Sequence, residues 1–138
     1  FFFGFLFVGD AEETEERLLL DDPTTCKLLD VDFLKAGHHG SNTSSSNAFL
    51  QTVSPKVVAV SCGAKGVSTN ARYKHPRFEK IELMLSGVEA RGGPPVTMEA
   101  FDTQSEKWKF VALNKAVYVT TSEGSLVFES DGQAIRKR

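Results

Sequence analysis

Short apolar runs that alternate with polar, helix-forming segments over residues 1–87 constrain the fold more than any other feature of this sequence. The runs "GFLFVGD", "VDFLKAG" and "KVVAVSCG" predict three strands, and the segments between them predict short helices. This order is typical of an α/β fold. The first run is apolar throughout, which favours a central strand covered on both faces.

Residues 88–138 have a different pattern. After the break "RGGPP", the stretches "VTMEAF", "WKFVAL", "AVYVTT" and "SLVFES" predict short strands separated by turn signals. We therefore expect one domain in two portions: residues 1–87 alternate strand and helix, and residues 88–138 form a β-rich C-terminal portion. The final "IRKR" is expected to be a solvated tail.

The bulk properties exclude several classes of protein. A chain of 138 residues suits one domain, and its net charge of −2 argues against tight nonspecific binding to nucleic acid. No membrane span is expected, because no apolar run reaches about 18 residues, and "FFFGFLFVG" lacks the basic flank of a signal peptide. Cys26 and Cys62 form no disulfide framework and are expected to be reduced, and a cytoplasmic location is favoured.

Polar residues follow the predicted strands, and these are the candidate site residues. Asp10 ends the first strand, His38 and His39 end the second, and His75 lies in the loop after the third. In layered α/β proteins, ligands bind beyond the carboxyl ends of the strands. If the three strands are neighbours, these side chains converge on one edge of the sheet.

Asp10 permits two interpretations. A carboxylate directly after a glycine at a strand end can bridge two metal ions. Asp10 is also placed to cap the following helix, with Glu13 three residues later completing a capping box. On this residue alone, the capping role is the favoured one.

The pair in "GHHGS" indicates metal binding, because imidazole is the commonest metal ligand. Adjacent residues on an extended backbone point in opposite directions. We therefore expect one of His38 and His39 to bind metal and the other to support it or face substrate. The flanking glycines would let the backbone approach a ligand closely. The alternative is a polar turn with solvated imidazoles.

His75 precedes a proline, which holds it extended, and it could either serve the site or cap the following helix. The serines of "SNTSSS" are most simply turn and helix-cap hydroxyls, with phosphate contacts as the alternative. A catalytic zinc usually has three protein ligands, and a two-metal site needs more. One Asp and three His cannot complete two metal sites, so either metal binding is weak or further ligands lie outside this sequence.

These segments together resemble a known family. "FLFVGDAEETEERLL", "VDFLKAGHHGSNTSSSNAFLQTVSPKVVAVSCG" and "NARYKHP" are similar to the metallo-β-lactamase superfamily, in the branch of the hydrolase domain of ComEC-type competence proteins. The resemblance covers most of residues 5–76 continuously and residues 116–132 more loosely. It implies the C-terminal half of an αββα sandwich, here with a β-rich C-terminal extension.

The resemblance also implies roles for the site residues. Asp10 corresponds to the aspartate that bridges two metals. His38 or His39 corresponds to a ligand of the second metal, with His38 favoured because it comes first after the strand. His75 corresponds to a catalytic histidine near the substrate, as a charge or proton partner. The cofactor would be two divalent ions, zinc or manganese, with only part of the site in this chain.

This sequence also departs from the family pattern at several positions. The HxHxDH motif, which supplies most ligands of the first metal, is absent, and the chain starts at Phe1 without a methionine. We therefore expect the N-terminal half of the fold upstream. The branch often has lysine at the position of Asn42 and glycine at that of Lys74, which weakens the expectation of phosphate contacts in these loops. The long segment 87–115 predicts an inserted or extended β subdomain.

The sequence thus predicts a metal-dependent hydrolase of nucleic-acid phosphodiester bonds, present as a fragment that is inactive in isolation, and the resemblance implies a role in DNA uptake. Two alternatives stay open. One is a lactone or thioester hydrolase that acts on a small ester substrate, since a fold does not fix its substrate. The other is a non-catalytic or degenerate half-domain used for interaction.

Overall fold

The computed structural model describes residues 3–138, which form a mixed α/β arrangement of one parallel sheet and two antiparallel hairpins. The strands are β1 Phe5–Phe7, β2 Phe33–Lys35, β3 Val57–Val60, β4 Val96–Asp102, β5 Lys107–Leu113, β6 Val117–Val119, β7 Phe128–Ser130 and β8 Ile135–Lys137. The helices are α1 Glu13–Asp21, α2 Pro23–Cys26, α3 Asn47–Val53, α4 Asn70–Tyr73, α5 Phe78–Gly87 and α6 Thr120–Glu123, and a 3₁₀ turn spans Gly37–Gly40.

The main sheet has four strands in the order β1-β2-β3-β6, all parallel. The expected neighbourhood of the first three strands is therefore confirmed, as is the α/β class. The fourth strand, β6, comes from residues 88–138 and pairs with β3. The two portions of the chain thus share one sheet. The segment 87–115 contributes the long hairpin β4–β5.

The expectation that the first strand is central and covered on both faces is wrong. Within residues 3–138, β1 pairs only with β2 and forms an edge of the sheet. Phe5 and Phe7 keep 45% and 68% of their surface exposed, and their rings lie 5.4 and 5.8 Å from that of Phe33. Contact between these rings accounts for part of the apolar run that the sequence presents as a buried strand.

Helix α1 begins two residues later than the sequence predicts. Its N-cap is Glu12, and the Glu15 carboxylate accepts a hydrogen bond from the Glu12 N–H at 2.9 Å. The capping box predicted for Asp10 and Glu13 is therefore wrong. A turn in which the Ala11 N–H donates to the Val8 carbonyl comes first and leaves Asp10 outside the helix.

The predicted helix-cap role of the serine cluster is confirmed. Ser46 caps α3, since its hydroxyl accepts from the Phe49 N–H at 3.2 Å. Helix α5 follows Pro76 and ends at Gly87. The fully buried side chains of the sheet and helices pack into one core, which includes Leu34, Phe49, Val58, Ile81 and Val117.

The C-terminal residues are not the solvated tail that the sequence suggests. Residues 135–137 form β8, which pairs with β7, and Lys137 Nζ lies 2.6 Å from a carboxylate oxygen of Glu123. Glu123 is almost fully buried and also pairs with Arg91. Because its charge is paired with Glu123, Lys137 can pack against the rest of the fold. Among residues 3–138, no helix is long and apolar enough to cross a membrane.

Candidate functional site

The candidate residues converge as the strand order predicts. Because β1, β2 and β3 are parallel neighbours, their carboxyl ends meet at one edge of the sheet. A cavity of about 310 Å³ opens at that edge, and Asp10, His38, His39 and His75 all line it.

Asp10 is free to serve this cavity because it caps no helix. Its side chain is 64% exposed, and its Oδ1 lies 3.5 Å from Nε2 of His39. The structural role that competed with metal binding in the sequence is therefore removed. The structure leaves Asp10 as an acceptor that faces an imidazole.

His39 is held in one tautomer by the end of β3. Its Nδ1 lies 2.7 Å from the carbonyl oxygen of Ser61, which can only accept a hydrogen bond, so Nδ1 carries the proton. In the neutral ring, Nε2 then presents a lone pair to the Asp10 carboxylate. The two acceptor atoms face each other at 3.5 Å, which leaves room for a proton or a metal ion between or beside them.

The spacing of this pair suits a metal ion. Two ligands that each lie about 2.0–2.1 Å from one tetrahedral zinc are themselves about 3.3 Å apart, close to the 3.5 Å between His39 Nε2 and Asp10 Oδ1. A backbone carbonyl that accepts from Nδ1 while Nε2 faces the ion is a common arrangement of metal-binding histidines. Both features agree with a metal ligand at His39.

His38 contacts a different carboxylate, that of Glu12. Its Nδ1 lies 2.9 Å from a carboxylate oxygen of Glu12, whose Oε1 also accepts from the Thr43 hydroxyl at 2.7 Å. This contact orients the His38 ring and, because the carboxylate accepts from Nδ1, leaves its Nε2 open, as in His39. The ring still lines the cavity, with its centroid 5.6 Å from that of His75.

The expectation that the two histidines point in opposite directions is wrong. Neither residue is extended: His38 has φ 42° and His39 has φ 56°, both in the left-handed region. A tight 3₁₀ turn replaces the extended backbone, and both rings line the same cavity, with centroids 6.4 Å apart.

The glycines that flank the pair serve packing. A Cβ on Gly37 would lie 2.9 Å from the Ala11 carbonyl oxygen, and one on Gly40 would lie 2.9 Å from Pro76 Cβ. Gly40 also has φ +77°, which disfavours other residues. The sequence suggested that these glycines let the backbone approach a ligand. In the structure they let it approach Ala11 and Pro76, and these contacts position the histidine turn.

His75 is buried beside the pair. Asn70 holds it through two bonds: the His75 N–H donates to Asn70 Oδ1 at 2.6 Å, and Asn70 Nδ2 donates to the His75 carbonyl at 2.7 Å. Burial, the Arg77 charge and the two other histidines lower the pKa of His75 to about 4. The neutral ring is therefore the favoured form at physiological pH, and it can act as a hydrogen-bonding partner.

Cys62 also lines the cavity, at the end of β3. Burial raises the pKa of its thiol to about 11, so it is protonated at neutral pH. Because the thiolate is the nucleophilic form, the protonated Cys62 thiol is a poor nucleophile. Both cysteines are unpaired in the described residues.

The serine cluster has the turn and cap roles that the sequence favours. The Ser44 hydroxyl donates to the Gly37 carbonyl at 2.8 Å, and Ser46 caps α3. Sequence reasoning missed the acceptor for this loop: the fully buried Glu16 accepts from the backbone N–H groups of Ser45 and Ser46. Glu16 stands among several glutamates, and no local signal shows which of them faces inward.

The described residues contain no group of three or more His, Cys, Asp and Glu side chains placed to hold a metal ion. Asp10 Oδ1 and His39 Nε2 are spaced as two ligands of one ion, and a complete site would need further ligands.

The relatives of this chain are competence proteins. It is 32% identical over 81 residues, 59% of its length, to ComE operon protein 3 of Bacillus subtilis (strain 168). It is 56% identical over 59 residues, 43% of its length, to Competence protein ComA of Neisseria gonorrhoeae. Recombination protein 2 of Haemophilus influenzae (strain ATCC 51907 / DSM 11121 / KW20 / Rd) is 33% identical over 87 residues, 61% of this chain.

These matches cover 9%, 7% and 10% of the three relatives. The chain thus spans a tenth or less of the curated proteins that it matches. No family model matches the chain, and no solved structure matches it.

Proposed function

We propose that this chain supplies one side of a divalent-metal centre in a phosphodiester hydrolase that acts in competence, in the uptake of DNA. The observation that carries the proposal is the facing pair of Asp10 Oδ1 and His39 Nε2, 3.5 Å apart, with the proton of His39 held on Nδ1 by Ser61. The competence relatives support the context. The geometry favours His39 over His38 as the metal ligand.

The other residues around Asp10 and His39 would have separate roles in the reaction. Zinc or manganese held there would supply an activated water molecule and polarise the scissile bond. His38, oriented by Glu12, fixes the 3₁₀ turn and lines the cavity. The neutral His75 would donate or accept a hydrogen bond at the substrate.

We further propose that the sheet β1-β2-β3-β6 is the C-terminal half of a metallo-β-lactamase-type sandwich. The order of its strands and the position of Asp10, His38 and His39 at their carboxyl ends support this. The remaining metal ligands would come from outside the described residues, because the pair alone does not complete a site.

The incomplete ligand set supports a second candidate, a non-catalytic interaction domain. In that case Asp10 and His39 form an ordinary ion pair around a proton. The two candidates differ in one measurable property, the affinity of the pair for divalent ions. A lactone or thioester hydrolase would share the metal pair and differ only in substrate.

The test is a calorimetric titration of the chain with Zn²⁺ and Mn²⁺. We expect one weak site, with affinity at least tenfold lower in Asp10→Asn and His39→Ala and less affected in His38→Ala, because it is Nε2 of His39 that lies 3.5 Å from Asp10. Asp21→Asn, an exposed aspartate at the other end of α1, is the matched control. Equal affinity in Asp10→Asn and Asp21→Asn would leave the non-catalytic candidate.

A second arm tests the reaction class. The gene product as the genome encodes it is assayed for metal-dependent cleavage of bis(p-nitrophenyl) phosphate, a thioester and a lactone. We expect cleavage of the phosphodiester, lost on chelation and in Asp10→Asn. We expect the 138-residue chain alone to remain at the background rate. Cleavage of only the thioester or lactone would contradict the phosphodiester assignment.

A further inference from the structure

The loop that follows β3 is strongly basic although the chain is not. Residues 61–77 contain the cations Lys65, Arg72, Lys74 and Arg77 and no Asp or Glu, in a chain with net charge −2. We call this segment the basic loop. It borders the cavity of Asp10 and His39, since Cys62, Thr69, Asn70, Tyr73 and His75 line that cavity.

Two of the four cations are committed to the fold. Lys65 pairs with Glu99 at 2.8 Å. Arg77 donates to the Tyr73 carbonyl at 3.0 Å. Arg72 and Lys74, by contrast, have no carboxylate within 4 Å among the described residues, although Lys74 Nζ lies 4.5 Å from the Phe101 ring centroid and would have to leave it to reach a phosphate. Arg72 is exposed and Lys74 half-buried.

Tyr73 stands between these two cations with half of its side chain exposed. It is 48% accessible, and its ring lies parallel to that of His75, at 9° and 6.1 Å between centroids. The Arg72 guanidinium lies 5.5 Å from the ring centroid. An aromatic ring that leaves so much surface in water, at the mouth of a cavity, offers a platform on which another flat ring can stack.

The platform is held in place before any ligand binds. Asn70, at the start of α4, is buried, and its side chain bridges the Gly63 and His75 carbonyls at 2.7 Å each. The Lys74 N–H closes α4 by donating to the Asn70 carbonyl. Little ordering of the basic loop is therefore needed for binding.

From this arrangement we propose that Tyr73, Arg72 and Lys74 form a binding rim for single-stranded nucleic acid: an unpaired base stacks on Tyr73 while neighbouring phosphates contact the two cations. Stacking on aromatic rings combined with a positively charged track is the general mode of single-strand binding. A duplex hides its base faces and cannot use the ring in this way. The inference rests on the proposed function and deepens it, because it names the substrate class, but binding at this rim requires no metal.

The test is fluorescence anisotropy with a labelled oligothymidylate of about 12 nucleotides, in EDTA and low salt. Tyr73→Ala should weaken binding about tenfold or more, and Tyr73→Phe should retain it. Phe110→Ala, at a ring that is 75% exposed on β5, is the matched control and should bind as the wild type does. Arg72→Gln with Lys74→Gln should reduce the slope of log K against log [salt] by about 1.4, which Lys107→Gln with Lys115→Gln should not.

The inference is overturned if Tyr73→Ala and Phe110→Ala bind alike, or if an abasic strand, a duplex or an acidic peptide of the same charge binds as tightly as the oligothymidylate. Thermal unfolding of each variant, together with the Tyr73→Phe rescue, separates lost binding from lost folding. Because EDTA is present throughout, failure here leaves the metal titration of Asp10 and His39 as an independent test of the proposed function.

Discussion

A single backbone carbonyl decides which nitrogen His39 offers to the cavity. The Ser61 oxygen at 2.7 Å requires a proton on Nδ1, which leaves Nε2 toward Asp10. His38, its neighbour in sequence, bonds through Nδ1 to the Glu12 carboxylate. Both rings therefore keep Nε2 open, and they differ in what this nitrogen faces, since Nε2 of His39 lies 3.5 Å from Asp10.

The tautomer of His39 is directly measurable. Long-range ¹H–¹⁵N NMR spectra recorded on the metal-free chain above pH 8 should show His39 in the Nδ1–H tautomer. Addition of Zn²⁺ should then shift its Nε2 resonance while the Nδ1 proton is retained. A dominant Nε2–H tautomer at His39 would contradict the geometry from which the metal pair is inferred.

The sequence predicts which side chains meet at this edge of the sheet better than it predicts which residues support them. Asp10, His38, His39 and His75 were recognisable from their position after apolar strands. Asn70 was not, because its role depends on contacts with carbonyl groups that no local pattern specifies. The preference for His38 rested on chain order, which carries no information about the turn that the backbone adopts.

Helix α1 holds the histidine turn and the serine loop in place. Glu16, on its buried face, accepts from Ser45 and Ser46, and Glu12, at its N-cap, contacts His38. Removing a buried carboxylate that accepts from backbone N–H groups lowers stability more than breaking a bond between two neutral groups, because the bond is charge-assisted and the N–H groups are left without an acceptor. The helix is therefore a scaffold for the site as much as a part of the core.

Glu16→Gln should lower the free energy of unfolding by about 2–4 kcal/mol, because the amide is a weaker acceptor and its NH₂ group opposes the serine N–H donors. Urea denaturation measures this loss. Glu13→Gln is the matched control: the Glu13 side chain is half exposed and pairs with Lys80 at 3.5 Å, so its loss should be about 0.5 kcal/mol or less. Equal effects of the two substitutions would contradict the scaffold role.

The hairpin β4–β5 carries an acid-sensitive contact. Lys109, at 2.7 Å, and Ser105 hold the pKa of Asp102 at about 2, below its ordinary value of 3.8. The ionised carboxylate stabilises the folded state above about pH 4, and this stabilisation is lost as the pH falls toward 2. The difference in unfolding free energy between wild type and Asp102→Asn should therefore shrink from pH 5 to pH 2. A constant difference over that range would show that Asp102 acts by packing alone.

Element boundaries were predicted where a local signal determines them and missed where tertiary contacts do. Ser46 caps α3 as expected, because a serine hydroxyl and a free N–H three residues later suffice. The start of α1 moved from Asp10 to Glu12, since Glu12 gains contacts with His38 and Thr43. The final strand β8 was missed for a similar reason: its lysine has a distant partner.

At the scale of the whole molecule, the parallel sheet ends in an exposed aromatic edge at β1. An edge strand with unpaired backbone groups and exposed Phe5 and Phe7 is a template for pairing with other chains. The sequence predicted the strand but not its position, because an apolar run looks the same at the centre of a sheet and at an edge lined with stacked rings.

Phe7→Thr should reduce self-association of the chain at little cost to its stability, since Phe7 is 68% exposed. Light scattering as a function of protein concentration measures the association. Leu28→Thr, at an equally exposed residue outside the strands, should leave it unchanged. Association that is the same in wild type and Phe7→Thr would remove β1 as its origin.

The central claim, that Asp10 and His39 together face a metal ion at the carboxyl edge of the parallel sheet, is tested most directly by Mn²⁺ titration of the ¹⁵N-labelled chain. Paramagnetic broadening should begin at Asp10, His39 and Cys62, at the rim of one cavity, and should disappear in Asp10→Asn. Broadening centred instead on the glutamates that open α1, or unchanged by Asp10→Asn, would contradict the claim.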